Sequence, residues 1–124
     1  MPIPIAIALG GAVGSLARYA VATWVGARVP FGGAGTFAVN LIGALAIGLI
    51  LGSVESRFTA TPRWVTLGLT TGVLGGFTTF SAFAYDTVGH FEAGDAGRAA
   101  VYVAGTVVLG IAVAAGGLAL GRSL

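Results

Sequence analysis

Four long apolar stretches, separated by short polar or charged connections, make up most of the chain. They run from about Pro4 to Gly26, from Thr36 to Val54, from Pro62 to about Val88 and from about Ala96 to Gly121. Each suffices for a helix, rising 1.5 Å per residue, to cross a hydrocarbon core of ~30 Å. The pattern predicts an all-α integral membrane protein, one four-helix domain over residues 1–124. The N-terminal run lacks a preceding positive region, so it reads as a first span rather than a cleaved signal. Thr61 before Pro62 reads as a cap and first helical residue, and Asp95 as the cap of the fourth helix.

The third stretch fits a plain helix poorly. From Trp64 to Tyr85 it carries no charge, yet its middle holds Gly75-Gly76 followed by Thr78, Thr79 and Ser81. Each glycine costs a helix roughly 1 kcal/mol against alanine, and the hydroxyls would find no partner in lipid. Backbone leaves the helix inside a bilayer only where protein or a polar cavity surrounds it. A helix broken at mid-membrane exposes carbonyls on one half and N–H groups on the other, which is where membrane proteins hold ions. The same residues also fit a packing notch whose hydroxyls bond back one turn.

Composition sharpens the class. The 124 residues are 56% hydrophobic and 8% charged, against about 25% charged in soluble domains. There is no cysteine, hence no disulfide or thiolate site. His90 falls in a connecting segment without a ligand-spaced partner and is expected to be solvated. The arginines are scattered rather than aligned in a basic stripe, which excludes nucleic acid as a partner. No nucleophile–base pair or metal cluster is visible, so the chain does not read as an enzyme.

Glycines recur at helical spacing: Gly10 and Gly14, Gly48 and Gly52, Gly68 with Gly72 and Gly76, Gly117 and Gly121. Such pairs let helix backbones approach closely in lipid, and packing is the expected role of all except Gly75 and Gly76. The arginines divide evenly. Arg57, Arg63 and Arg122 fall on one side; Arg28, Arg98 and Arg18, near the end of the first span, fall on the other. The positive-inside rule therefore selects no orientation, which fits insertion both ways and antiparallel pairing.

Few polar groups lie inside the spans. No Asp or Glu is expected within a confident span, Asp86 falling near the end of the third, and this lack of an intramembrane carboxylate favours passive conduction over proton coupling. Arg18 either snorkels to the headgroups or places a positive charge at the mouth of a cleft. Asn40 either donates to an anion or bridges helices, and Tyr102 and Thr106 pose the same choice. Phe80 and Phe83 share a helical face, and their positive ring edges suit a desolvated anion.

Three segments resemble the CrcB/Fluc family of fluoride channels: Gly10 to Tyr19, Gly35 to Gly43 and Gly72 to Phe83. The most specific is Gly-Gly-x-Thr-Thr-Phe-Ser-x-Phe within a span. The resemblance implies a passive fluoride channel in the cell (inner) membrane, an antiparallel dual-topology homodimer with two pores. It implies a structural, untransported sodium ion around Gly75, Gly76 and Thr78. Fluoride would pass Asn40, Thr79, Phe80, Ser81, Phe83 and Tyr102, with Arg18 at the vestibule. Ala82 departs from the family's usual Thr or Ser, so one hydroxyl of the polar track is absent. A small multidrug-type exporter is the alternative, though it needs an embedded carboxylate. A non-conducting membrane assembly subunit is the third reading.

Overall fold

The computed structural model describes residues Met1–Leu124, all helical apart from short connections. The order is α1 (Ile3–Gly26), α2 (Ala34–Ser56), α3 (Arg63–Leu67), a π-helical segment (Gly68–Leu74), α4 (Gly75–Phe77), α5 (Phe80–Glu92) and α6 (Ala96–Ser123). The segments from Arg63 to Glu92 form one interrupted span, so four helical units are long and apolar enough to cross a membrane.

The expected spans are present, most of them longer than the apolar pattern indicated. The second gains two residues at each end, and the third continues past Val88 to Glu92. Asp95 caps α6 as expected, accepting from the Arg98 N–H at 2.9 Å. Thr61 does not cap the third span. Its hydroxyl donates to the Phe58 carbonyl at 2.7 Å and closes a turn, while Pro62 takes the cap position.

Glycine sets the two tightest helix pairings, because lipid supplies no hydrophobic force between helices and close backbone approach must. Along α2 and α6, a Cβ on Gly52 would stand 2.5 Å from the Leu118 carbonyl oxygen, and one on Gly117 2.5 Å from that of Leu45. The second pairing joins α1 to the π segment and α4, where Gly10 and Gly14 face Gly72, Val73 and Phe77. Gly76 belongs to this seam: its Cβ would meet the Gly11 carbonyl at 2.6 Å. The exemption of Gly76 from packing is thereby corrected. Of the Gly75-Gly76 pair, Gly75 alone faces outward, with nothing nearer than 3.8 Å.

Asp86, expected outside the confident spans, is part of one. It lies within α5, and its carboxylate accepts a hydrogen bond from the Tyr102 hydroxyl at 3.2 Å. A carboxylate therefore does sit inside the third span, so passive conduction cannot be argued from the lack of one.

Candidate functional site: the interrupted third span

The interruption falls at Thr78 and Thr79, two residues past the Gly75-Gly76 pair. Both adopt extended backbone, at φ −85, ψ 159 and φ −153, ψ 119. Gly75 and Gly76 stay helical. Two extended residues interrupt the i→i−4 ladder, leaving the last carbonyls of the first half and the first N–H groups of the second to find other partners.

Side chains supply some of them. Thr79 caps α5, its hydroxyl accepting from the Ala82 N–H at 3.2 Å and pairing with Ser81 Oγ at 3.2 Å. Thr78 turns its hydroxyl back to the Leu74 carbonyl at 2.9 Å. Asn40 reaches across from α2 and takes both sides of the Thr79 backbone. Its Oδ1 accepts from the Thr79 N–H at 2.8 Å, and its Nδ2 donates to the Thr79 carbonyl at 3.0 Å. The asparagine amide can serve both peptide groups that flank the Thr79 Cα because it carries an acceptor oxygen beside its N–H donors.

Two clefts flank this junction, and Asn40 and Thr78 line both. One, of ≈ 300 Å³, is walled further by Thr79, Phe80, Phe83, Thr106 and Val107. The other, of ≈ 270 Å³, lies between α2 and the π segment and reaches Gly43, Thr70 and Gly75. In the first cleft the Thr106 hydroxyl is buried without a hydrogen-bond partner, the single such side chain in the protein. A buried polar atom left unpaired costs about 1–3 kcal/mol, so its placement calls for a partner arriving from outside the fold. Phe80 is 79% exposed and Phe83 half-buried, their centroids 5.7 Å apart.

Comparison with known proteins agrees with this architecture. The family model described as "CrcB-like protein, Camphor Resistance (CrcB)" matches residues 5–118. The chain belongs to the CrcB-like family. It is 46% identical over 122 residues to the "Fluoride-specific ion channel FluC" of Agrobacterium fabrum, covering 95% of this chain and 94% of that one. A protein of the same name from Allorhizobium ampelinum is 48% identical over 123 residues, covering 95% and 94% of the two chains. That of Paracoccus denitrificans is 46% identical over 118 residues, covering 95% and 93%. Four spans and this membership make it a multi-pass protein of the bacterial cell membrane.

Not every residue picked from the CrcB-like sequence gathers at one place. Asn40, Thr78, Thr79, Phe80 and Phe83 share the first cleft. Asn40 bridges helices, with one of its two amide hydrogens still free. Ser81 faces outward and is tied to Thr79. Tyr102 is 3% exposed and lines neither of these clefts; its hydroxyl points to Asp86. Arg18 is half-buried one turn beyond Gly14, lines neither cleft and has no carboxylate partner. Along the sequence Thr106 is one of several span hydroxyls. What distinguishes it is the missing partner, and that depends on packing between distant segments. His90 was expected in solvent but is buried at the end of α5, its Nε2 on the Gly32 carbonyl at 2.8 Å.

Proposed function

We propose that this protein is a passive, fluoride-selective channel that lets fluoride leave the cytoplasm, working as an antiparallel homodimer. Relatives carrying that channel name at 46–48% identity over nearly full length support the substrate. The observation that carries the mechanism is the unpaired Thr106 hydroxyl in a cleft walled by Asn40, Phe80 and Phe83. Fluoride is small and strongly hydrated, so a pore must replace its water with several short hydrogen bonds. The Thr106 hydroxyl, the spare Asn40 amide hydrogen and phenylalanine ring edges offer donors without a countercharge that would trap the ion. The membrane potential contributes roughly 2.3 kcal/mol per charge per 100 mV, which drives an anion out of a negative cytoplasm.

The outward face of the third span, with Gly75, Phe80, Ser81 and Tyr85 uncovered, supports pairing with a second copy. Even sharing of arginines between the two ends supports an inverted partner. At the crossing, carbonyl oxygens released by the interruption suit a hard monovalent cation. The residues present fit a structural sodium ion held by backbone oxygens of Gly75 to Thr78, with duplicates from the second copy. Gly76 would contribute only its carbonyl, because its Cα side is closed against Gly11. The Thr78 hydroxyl, though turned to Leu74, keeps a lone pair. Such an ion would screen carbonyl ends that otherwise repel.

The test is fluoride efflux from liposomes holding purified protein, read with a fluoride-selective electrode. Efflux above protein-free liposomes without a pH gradient is expected, with chloride retained. Efflux that needs an imposed proton gradient would establish a coupled exporter instead, and none at all would leave a non-conducting subunit.

A further inference from the structure

The chain's single histidine stands outside the cleft, yet it is joined to it by an unbroken series of rings. His90 lies in the last turn of α5 and is 8% exposed. Its Nε2 is 2.8 Å from the carbonyl oxygen of Gly32, in the connection between α1 and α2. A carbonyl can only accept, so this nitrogen holds the proton and the ring orientation is set. No other side-chain hydrogen bond ties that connection to α5.

What the connection presses on is Tyr102. Gly33, next in sequence, has φ +88, and a Cβ there would stand 2.6 Å from Tyr102 Cζ. The loop backbone therefore lies directly against the phenol ring. Phe31 closes from the loop as well, 5.0 Å from the His90 ring and 6.2 Å from Tyr102. His90 itself is 5.7 Å from Tyr102 between centroids. On its other side Tyr102 stands 5.4 Å from Phe83, and Phe83 5.7 Å from Phe80. The Tyr102 hydroxyl is held by Asp86, one turn before His90 on the same helix. The series runs from loop to cleft, and each ring rests on the next. Ring-to-ring contact passes a displacement along the series, although Phe31 and Tyr102 also border an apolar cleft of ≈ 340 Å³. If the loop lifts, Tyr102 loses its backing and Phe83 loses the surface that sets its tilt.

We propose that His90 is a positioning residue for anion passage: its hydrogen bond to Gly32 clamps the α1–α2 connection onto Tyr102, which holds the Phe83 ring edge toward the cleft. His90 does not touch the ion. The inference rests on the fluoride reading above.

Two variants and one spectroscopic measurement test it, all on the full chain in liposomes. His90→Leu keeps the bulk and removes the donor; fluoride efflux falls roughly tenfold, the effect of about one hydrogen bond, and chloride rejection weakens. His90→Gln keeps an N–H of similar reach and restores efflux to within about twofold of the natural chain, as a preserved donor should. Wild-type efflux with an unaltered His90→Leu rate and selectivity overturns the proposal, and so does an equal loss in both variants. Absence of wild-type efflux would strike the channel reading, which separates the two failures. Should His90→Leu not assemble, ring-nitrogen resonances of the lone histidine decide in the Phe83→Ile protein. Resonances displaced from their wild-type positions support the relay, and unmoved ones overturn it.

Discussion

Asn40 and Thr79, 39 positions apart, hold each other by two hydrogen bonds, at 2.8 and 3.0 Å, across the point where the third span stops being a helix. The side chain of α2 stands in for the helical partners that the Thr79 peptide groups lost. This pairing makes an interruption inside a bilayer tolerable, because no water is present to do the same. It also leaves one Asn40 amide hydrogen beside the cleft, which joins support of the backbone to the anion recognition proposed above.

Removing that amide separates the two roles. Asn40→Ala leaves the nearly buried Thr79 N–H unpaired, at a cost of about 1–3 kcal/mol. Thermal unfolding of the purified protein should shift down accordingly, and fluoride efflux should be lost. Asn40→Asp keeps the acceptor for the Thr79 N–H but removes both donors and adds a negative charge. It should retain more stability than the alanine variant while blocking efflux. Equal efflux in wild type and Asn40→Asp would take Asn40 out of the path.

Thr106→Val exchanges a hydroxyl for a methyl group of matching shape. The hydroxyl has no partner in the fold, so its removal breaks no hydrogen bond and relieves a buried polar group. Stability should hold or rise by up to about 1 kcal/mol. Efflux should fall about tenfold, the consequence of ~1.4 kcal/mol added to the barrier. A structural hydroxyl would show the opposite pattern, with stability lost and flux retained.

Phe80 is 79% exposed in one chain, so Phe80→Ile sacrifices little internal packing. Flux should drop sharply while the proposed dimer stays intact on size exclusion, since apolar bulk survives and the polarised ring edge does not. Unchanged flux removes Phe80 from the ion's route.

Gly14→Ala attacks the seam behind the site. A Cβ at this position would stand 2.9 Å from both the Phe77 nitrogen and the Val73 carbonyl carbon. Backbone cannot move aside as a side-chain tip can, so α1 must separate from α4. We expect loss of folded protein, by several kcal/mol where overpacking typically costs 1–3. Gly110→Ala, with nothing within 4 Å of its Cβ, is the matched control and should behave as wild type.

Orientation is open to the same kind of test. Two lysines added beside Arg57 and Arg63 should bias insertion toward one topology. Cells expressing this form alone should lose fluoride resistance and regain it when an oppositely biased copy is supplied. Full resistance from the biased form alone would argue against inverted pairing.

Much of this protein was legible along the chain because lipid imposes simple demands. Helices must be long and apolar, so the four spans stand out, and glycines at helical spacing announced close packing, though not which helices pair. Thr78 and Thr79 were recognisable as residues that trouble a helix. Where the chain breaks, however, depended on Asn40 being in reach of Thr79 and on Gly11 closing over Gly76, which local propensity does not encode. The same holds for Asp86 and His90. Asp86 read as a span end and His90 as part of a solvated connection; Asp86 is half-buried and His90 buried, because Tyr102 and Gly32, distant in sequence, complete their hydrogen bonds. Periodicity and composition follow from the solvent each residue must meet, and a single chain determines them by itself. Which hydroxyl stays unpaired, and which ring stands behind Phe83, only the packed helices decided, since a hydrogen bond needs two partners in one place.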